Sequence, residues 1–193
     1  MSPLDVTTTH REVGRGTRST ASAPARGKVK SVPPSLGRAP SGATDARVPY
    51  ATPIPNPTVY PYRTQGKVFF KQGTGNYVCS ATVVNTPKRV MFSAGHCIYD
   101  PDTRAWSTNF EFVPGYHGSV RPYGTFVATR KFSLNGWIQS ENHSYDISAA
   151  VLGGQQQVAA LVGSRGITFN RPRQQNFVSF GYPAEPPYSG GTV

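Results

Sequence analysis

The sequence predicts an all-β protein, and three observations support that prediction. The chain has 193 residues, which is enough to bury a core as one medium domain or two small ones. Gly and Pro, at 20 and 18 residues, are too frequent for a helical bundle. From Gly66 onward, short runs rich in Val, Ile, Phe, Tyr and Thr alternate with Gly, Asn, Asp and Pro. We therefore expect an antiparallel β-barrel or sandwich.

The first quarter of the chain has a different composition from the rest. Residues 1–49 contribute +5 of the formal net charge of +11 and contain few apolar side chains. Such a segment buries too little surface to offset the entropy of folding. Repeated prolines between Val48 and Pro61 then fix an extended spacer. The sequence thus predicts a disordered, basic tail or pro-segment over residues 1–60.

Eight strands are predicted beyond this spacer from short apolar runs that turn residues separate. The stretch QQQVAALVG, residues 155–163, fits a short helix as an alternative to a strand. No run approaches the roughly 18 consecutive apolar residues of a membrane helix, so we expect a soluble chain without a membrane partner. The predicted strands cover residues 67–72, 76–84, 89–93, 110–114, 123–132, 146–152, 166–170 and 177–181.

The two cysteines allow two interpretations. Cys79 lies within one predicted strand and Cys97 follows another, so a turn between them could bring the side chains together. A disulfide would enclose one hairpin, add about 3 kcal/mol by the loop-entropy argument, and imply an oxidising compartment. Two buried free thiols in a cytosolic protein are the alternative.

His96 is the strongest candidate for proton transfer. In the run RVMFSAGHC, residues 89–97, a strand ends in Ser-Ala-Gly and then presents an imidazole. A histidine fixed at a strand end can accept and return a proton near neutral pH. The other three histidines, His10, His117 and His143, fit ordinary structural roles.

These motifs resemble a known family. The segment CSATVVNTPKRVMFSAGHC is similar to the histidine-bearing hairpin of the chymotrypsin/trypsin-like serine proteases, and NHSYDISAAVL resembles their aspartate segment. FEFVPGY and FGYP resemble bacterial secreted members, including the glutamyl endopeptidase-like branch. The similarity runs from Gly66 to Pro183 and implies a trypsin-like double β-barrel. It also implies a Cys79–Cys97 disulfide, His96 as general base, and Asp146 as the carboxylate that orients the imidazole.

Two other aspartates near His96 are candidates for the acid. Asp100 and Asp102 are weaker acid candidates than Asp146, because the proline between them indicates an exposed turn.

The nucleophile is the part of the family pattern that the sequence does not match. The family's nucleophile lies in a Gly-x-Ser-Gly-Gly-Pro-like loop that also forms the oxyanion hole, and the sequence has no such motif. Ser189 in PPYSGGTV precedes two glycines, but Pro187 stands where glycine is expected. We therefore do not assign Ser189 as the nucleophile.

The resemblance implies the following organisation and function. A first barrel over residues 61–152 carries His96 and Asp146, residues 153–193 begin an incomplete second barrel, and the nucleophile lies beyond Val193. The expected reaction is peptide-bond hydrolysis by a His-Asp-Ser triad on a polypeptide substrate, without metal or cofactor, in an enzyme that is monomeric when complete. We expect the chain as given to be inactive and prone to aggregate. The family is secreted, although residues 1–30 contain no apolar core of a signal peptide.

Three other classes stay open. A protease homologue without activity would bind a partner through a preserved barrel. A metal-binding domain would use Cys79, His96, Cys97 and another histidine, but no C-x-x-C pair exists, and adjacent residues on a strand point to opposite faces. A nucleic-acid binder would use the basic tail, which lacks interleaved aromatic residues for base stacking.

Overall fold

A seven-stranded antiparallel sheet contains most of the regular structure. This computed structural model describes residues 6–11, 53–86, 89–172 and 174–183. A separate sheet has two short strands, Tyr99–Asp100 and Ala105–Trp106. The strands are β1 (Val6–Arg11), β2 (Gln65–Gln72), β3 (Gly75–Val83), β4 (Val90–Ser93), β5 (Tyr99–Asp100), β6 (Ala105–Trp106), β7 (Thr108–Pro114), β8 (Phe126–Leu134) and β9 (Ser148–Leu152). The helices are α1 (Asn135–Ser140) and α2 (Val158–Val162), with 3-10 turns at Tyr62–Thr64, Gly95–Cys97 and His143–Tyr145.

The sheet closes on itself through β8. Six strands follow one another in the order β8, β7, β2, β3, β4 and β9, and β9 pairs again with β8. Closure is possible because β8 changes partner along its length: Phe126 pairs with β7, whereas Phe132 pairs with Ala149 of β9. A register shift between Ala128 and Arg130 accompanies this change. The predicted all-β fold with a closed first barrel is confirmed.

The barrel interior follows the period-two pattern of the strands. In β9 the buried and half-buried residues alternate without interruption from Ser148 to Leu152. In β8 the phase of this alternation shifts after Ala128, where the register also shifts. Apolar side chains from facing strands fill the space between them. The central members of this core are Val68, Phe70, Val83, Met91, Phe110, Phe112, Ala150 and Leu152.

Two of the eight predicted strands are wrong. Residues 166–170 and 177–181, expected to begin a second barrel, form no strand in the described part of the chain. Phe169, Phe177 and Val178 are instead largely exposed. Their apolar pattern indicates a preference for extended backbone, but a strand also needs a neighbouring backbone with which to form hydrogen bonds. The other six predicted strands correspond to β2, β3, β4, β7, β8 and β9.

The structure contains a strand, a hairpin and a helix that the sequence did not predict. Strand β1 lies within the predicted tail and pairs with β8, while residues 12–52 lie outside the described part. The hairpin of β5 and β6 and helix α1 were not predicted. The ambiguous stretch at 155–163 contains helix α2, whose Val158 and Val162 are fully buried. The proposed domain boundaries at 60 and 152 stay predictions.

The last described segment packs on the outside of the barrel. Tyr182 is buried against Val113 and Tyr116, and its backbone N–H donates to the hydroxyl of Ser80 at 2.8 Å. Burial, with the nearby Tyr116, raises the pKa of the Tyr182 phenol. In the described ranges, no helix combines the length and apolar character that a membrane crossing requires.

Candidate active site

His96 lies in a short turn that follows β4 directly. We call residues 95–97 the histidine turn; its hydrogen bond from the N–H of Ile98 to the carbonyl of Gly95 is 3.0 Å long. The Ser148 hydroxyl donates to the Ala94 carbonyl at 2.6 Å, and the Gln72 amide donates to the His96 carbonyl at 2.8 Å. Backbone on both sides of the imidazole is therefore fixed by side chains from β9 and β2.

Strand pairing brings Asp146 to the same end of the barrel. β4 and β9 are antiparallel, and Ser93 pairs with Ser148. The chain that leaves β4 after Ser93 and the chain that enters β9 before Ser148 consequently lie at one rim. His96 comes three residues after the first serine, and Asp146 comes two residues before the second. The register of one strand pair thus places both predicted site residues together.

The carboxylate of Asp146 holds His96 at two points. Its Oδ2 lies 2.9 Å from the ring Nδ1, and its Oδ1 accepts the backbone N–H of His96 at 2.8 Å. An ionised carboxylate only accepts hydrogen bonds, so the proton of a neutral imidazole is on Nδ1. Nε2 then carries the free lone pair that a general base requires.

Electrostatics keep this carboxylate ionised. Burial raises the pKa of Asp146, but the hydrogen bonds from the His96 ring and from the His96 and Gly95 backbone lower it, as does the imidazole charge. The lowering contributions prevail, and the pKa lies below the usual value for aspartate. Asp146 is therefore a permanent acceptor at neutral pH.

Nε2 points towards the sulfur of Cys79. The distance from Nε2 to Cys79 Sγ is 3.9 Å, and a quarter of the His96 side chain is exposed (25%). Among residues 53–86, 89–172 and 174–183, no serine hydroxyl forms a hydrogen bond with Nε2. Ser189 lies outside the described residues. The described part of the site is an imidazole held by a carboxylate.

Cys79 of β3 and Cys97 of the histidine turn form a disulfide, with a Cα–Cα distance of 6.3 Å. Together with His96 they bring three potential metal-ligand atoms within 4.8 Å of one another. In the oxidised protein the two sulfurs are bonded to each other and offer no thiolate, so the set does not fit zinc in this form. The disulfide instead fastens the histidine turn to the barrel wall.

Sequence reasoning missed the residues that support the pair. A Cβ on Gly95 would lie 2.9 Å from both Asp146 Oδ1 and the Trp137 ring, so only glycine fits there. Trp137 is buried, donates from Nε1 to the Tyr99 carbonyl at 3.0 Å, and packs against the His96 ring with the centroids 6.4 Å apart and the ring planes at 66°. The SAGHC motif includes Gly95, so the sequence contained a signal for that residue. It contained no signal for Trp137, because helix α1 was not predicted.

The other aspartates and histidines considered from the sequence are not part of the His96–Asp146 pair. The Asp100 carboxylate accepts the backbone N–H of Asp102 at 3.2 Å in the turn between β5 and β6, and Asp100 is buried rather than exposed as predicted. His143 is exposed and packs against Trp137, with a ring-centroid distance of 5.8 Å. His117 forms an isolated bridge with Val120. Of His10 only the backbone in β1 is described.

A closed β-barrel of this topology is the fold of the trypsin-like serine proteases, and comparison with solved structures supports that assignment. The protease Anisep from Arthrobacter nicotinovorans is 36% identical with a TM-score of 0.65, covering 74% of this chain and 62% of its own. A thermostable serine protease, AL20, from an extremophilic microorganism is 32% identical with a TM-score of 0.64, covering 67% and 62%. A Glu endopeptidase structure, at 24% identity and a TM-score of 0.52, shows the same fold.

Curated relatives are similar over a shorter part of their length. A glutamyl endopeptidase of Bacillus licheniformis is 33% identical over 118 residues, and a protein of Bacillus subtilis named extracellular metalloprotease is 36% identical over 105 residues. These matches cover 61% and 53% of this chain, which spans about a third of either relative, 34% and 33%. No model of a protein family matches the chain. The resemblance to trypsin-like serine proteases, including the glutamyl endopeptidase-like branch, is confirmed.

Proposed function

We propose that this chain supplies the general base and the orienting carboxylate of a serine-type endopeptidase. The observation that carries the proposal is the double attachment of His96 to Asp146, through Nδ1 at 2.9 Å and through the backbone N–H at 2.8 Å. This arrangement fixes both the direction and the tautomer of the imidazole. It is the arrangement that a serine hydroxyl needs in a base, because the hydroxyl is a poor nucleophile at its own pKa.

His96 and Asp146 have separate tasks in the proposed reaction. Nε2 of His96 takes the serine proton during attack on the peptide carbonyl and later delivers it to the leaving amine. Asp146 keeps the proton of Nδ1 in place and stabilises the imidazolium that forms between these steps. The nucleophilic serine of the proposed enzyme comes from outside the described residues.

The proposed substrate is a polypeptide, and the proposed location is extracellular. The names of the relatives support both points, since they include proteases, a glutamyl endopeptidase and an extracellular enzyme. The Cys79–Cys97 disulfide agrees with an oxidising compartment.

The test is covalent labelling with a fluorophosphonate, applied to the native protein from its host and in parallel to the 193-residue chain. We expect one serine of the native protein to be modified, and mass spectrometry of the peptide will locate it. His96→Ala should abolish the labelling, whereas Asp102→Asn, a change to a carboxylate outside the His96–Asp146 pair, should leave it intact. A metal chelator should have no effect.

Other outcomes would overturn the proposal in distinguishable ways. Peptide hydrolysis that a chelator stops and that His96→Ala retains would indicate a metal-dependent enzyme. A folded native protein that is neither labelled nor proteolytic would be the homologue without activity. Labelling at Ser189 would keep the proposed reaction but reverse our rejection of that residue.

A further inference from the structure

The histidine turn brings together three atoms that can bind a metal. Cys79 reaches the site from β3, and His96 and Cys97 reach it from the histidine turn. On a strand the two adjacent residues would point to opposite faces. In a 3-10 turn they do not, and both ligand atoms approach Cys79, with all three within 4.8 Å.

The spacing of these atoms fits a tetrahedral zinc site once the disulfide is open. With Zn–S near 2.3 Å and Zn–N near 2.0 Å, neighbouring donors in such a site lie about 3.5–3.8 Å apart. The distance from Nε2 to Cys79 Sγ is already 3.9 Å. The two sulfurs must separate to a similar spacing, and rotation about the Cα–Cβ bond of Cys97 is the movement that leaves the distance from Cys79 to Nε2 unchanged; the two Cα atoms are 6.3 Å apart.

The surroundings also match those of a zinc ligand. Metal-bound histidines usually donate their second ring N–H to a carboxylate, which fixes the ring and makes the bound nitrogen more basic. Asp146 takes this position at 2.9 Å from Nδ1. Cys97 is buried, whereas a quarter of the His96 side chain is exposed (25%), so one side of the site faces solvent.

We propose that reduction of the Cys79–Cys97 disulfide creates a zinc site formed by both cysteines and Nε2 of His96, and that the bound metal blocks the base. A dithiol supplies the two electrons and becomes a disulfide itself, and its two protons move to the Cys79 and Cys97 sulfurs. Zinc then displaces these two protons and takes the Nε2 lone pair. The blocking role rests on the proposed function; the metal site does not.

The consequence is a redox-controlled latency. Under reducing conditions zinc ties the histidine turn to β3 and makes Nε2 unavailable to a serine. A small-molecule disulfide then accepts two electrons and is cleaved to two thiolates, which re-forms the Cys79–Cys97 disulfide, releases the zinc ion and returns Nε2 to its role as base. One pair of cysteines thus holds the turn in place in both states.

Cobalt(II) is the probe for this site, because its thiolate charge-transfer and tetrahedral visible bands report the ligands directly. The protein is reduced with a phosphine, which is oxidised to its oxide with water as the oxygen source and introduces no competing thiol. We expect one equivalent of cobalt to bind the reduced protein, to be displaced by zinc, and not to bind the oxidised protein. Zinc should raise the melting temperature of the reduced form only.

Two substitutions test the role of His96, and a third serves as the control. His96→Ala should remove the histidine ligand and weaken cobalt binding by more than about tenfold, with altered visible bands. Asp146→Asn should weaken it by about 10- to 100-fold without removing a ligand. His143→Ala, a nearby histidine that is not among the three, should leave binding unchanged.

Several results would overturn the proposal. The first is a reduced protein that keeps its barrel by circular dichroism but shows no cobalt bands. The second is a set of cobalt bands that is identical in wild type and His96→Ala. The third is a barrel that unfolds on reduction even with zinc present. None of these readouts requires a nucleophile. Failure of fluorophosphonate labelling in every state would reject the protease function and leave the metal site to be judged on its spectrum.

Discussion

At the scale of single residues, Asp146 accepts hydrogen bonds from two different parts of His96. Oδ1 is engaged by the backbone N–H and Oδ2 faces the ring, so each oxygen has a separate task. The sequence motifs predicted both residues and their roles by resemblance. They did not predict how closely Asp146 and Trp137 approach Gly95, because that depends on distances between elements far apart in the chain.

Asp146→Asn should reverse the tautomer of His96. The backbone N–H of His96 still needs an acceptor, so the amide oxygen faces it and the amide nitrogen faces Nδ1. Since that nitrogen only donates, Nδ1 becomes an acceptor and the imidazole proton moves to Nε2. Heteronuclear NMR of the ring nitrogens should show this change, and labelling of the native protein should slow about ten-thousandfold. A proton that stays on Nδ1 would contradict the prediction, and Asp102→Asn is the control.

Acid should remove the stability that Asp146 contributes. Its pKa is lower in the folded chain than the value of about 3.9 expected in the unfolded chain. The contribution is therefore present above the unfolded value and is lost as pH falls through the folded value. Urea unfolding of wild type and Asp146→Asn should differ most above about pH 5 and converge below about pH 4. A difference that grows towards acid would show the opposite sign of the shift.

Gly95→Ala should disturb the pair without changing a functional group. The new Cβ would lie 2.9 Å from Asp146 Oδ1 and from the Trp137 ring, so one of them must move. We expect a loss of about 1–3 kcal/mol in the free energy of unfolding, together with an altered His96 ring spectrum. Gly166→Ala is the matched control, because a Cβ there meets nothing within 4 Å. Equal stability of the two variants would contradict the prediction.

At the scale of elements, the register between β4 and β9 places the site, and β8 closes the barrel around it. Apolar alternation predicted these three strands, because a period of two is visible in the sequence. It did not predict β5 and β6, which have two residues each and are too short to show a period. It wrongly predicted strands at 166–170 and 177–181, because the pattern does not show whether a partner strand is present.

The disulfide should make a large contribution to the stability of this end of the barrel. It joins β3 to the histidine turn across a sequence separation of 18. The double substitution Cys79→Ala and Cys97→Ala removes the link without leaving thiols that bind metal. We expect it to lower the free energy of unfolding by about 3 kcal/mol, measured by urea denaturation with a chelator present. A loss similar to that of Ser140→Ala, an exposed control on α1, would mean that the strands alone hold the turn.

At the scale of the whole molecule, the segment after α2 contains the most exposed large apolar side chains among the described residues. Phe169 is 76% exposed, Phe177 74% and Val178 77%. Large apolar side chains that are exposed close together along a chain mark surfaces that associate. The barrel itself contains its own core, so this segment, not the barrel, is expected to govern the behaviour of the chain in solution.

The 193-residue chain should therefore self-associate through this segment. Sedimentation velocity of the wild-type chain should give a mean sedimentation coefficient that rises with concentration. The double variant Phe169→Ser and Phe177→Ser should reduce that rise and leave the melting temperature of the barrel unchanged, because both side chains are already exposed. Val120→Ser, an exposed apolar residue of the loop between β7 and β8, is the control and should behave as wild type. If the double variant associates as strongly as wild type, another surface is responsible, and the exposed phenylalanines do not determine the solution state.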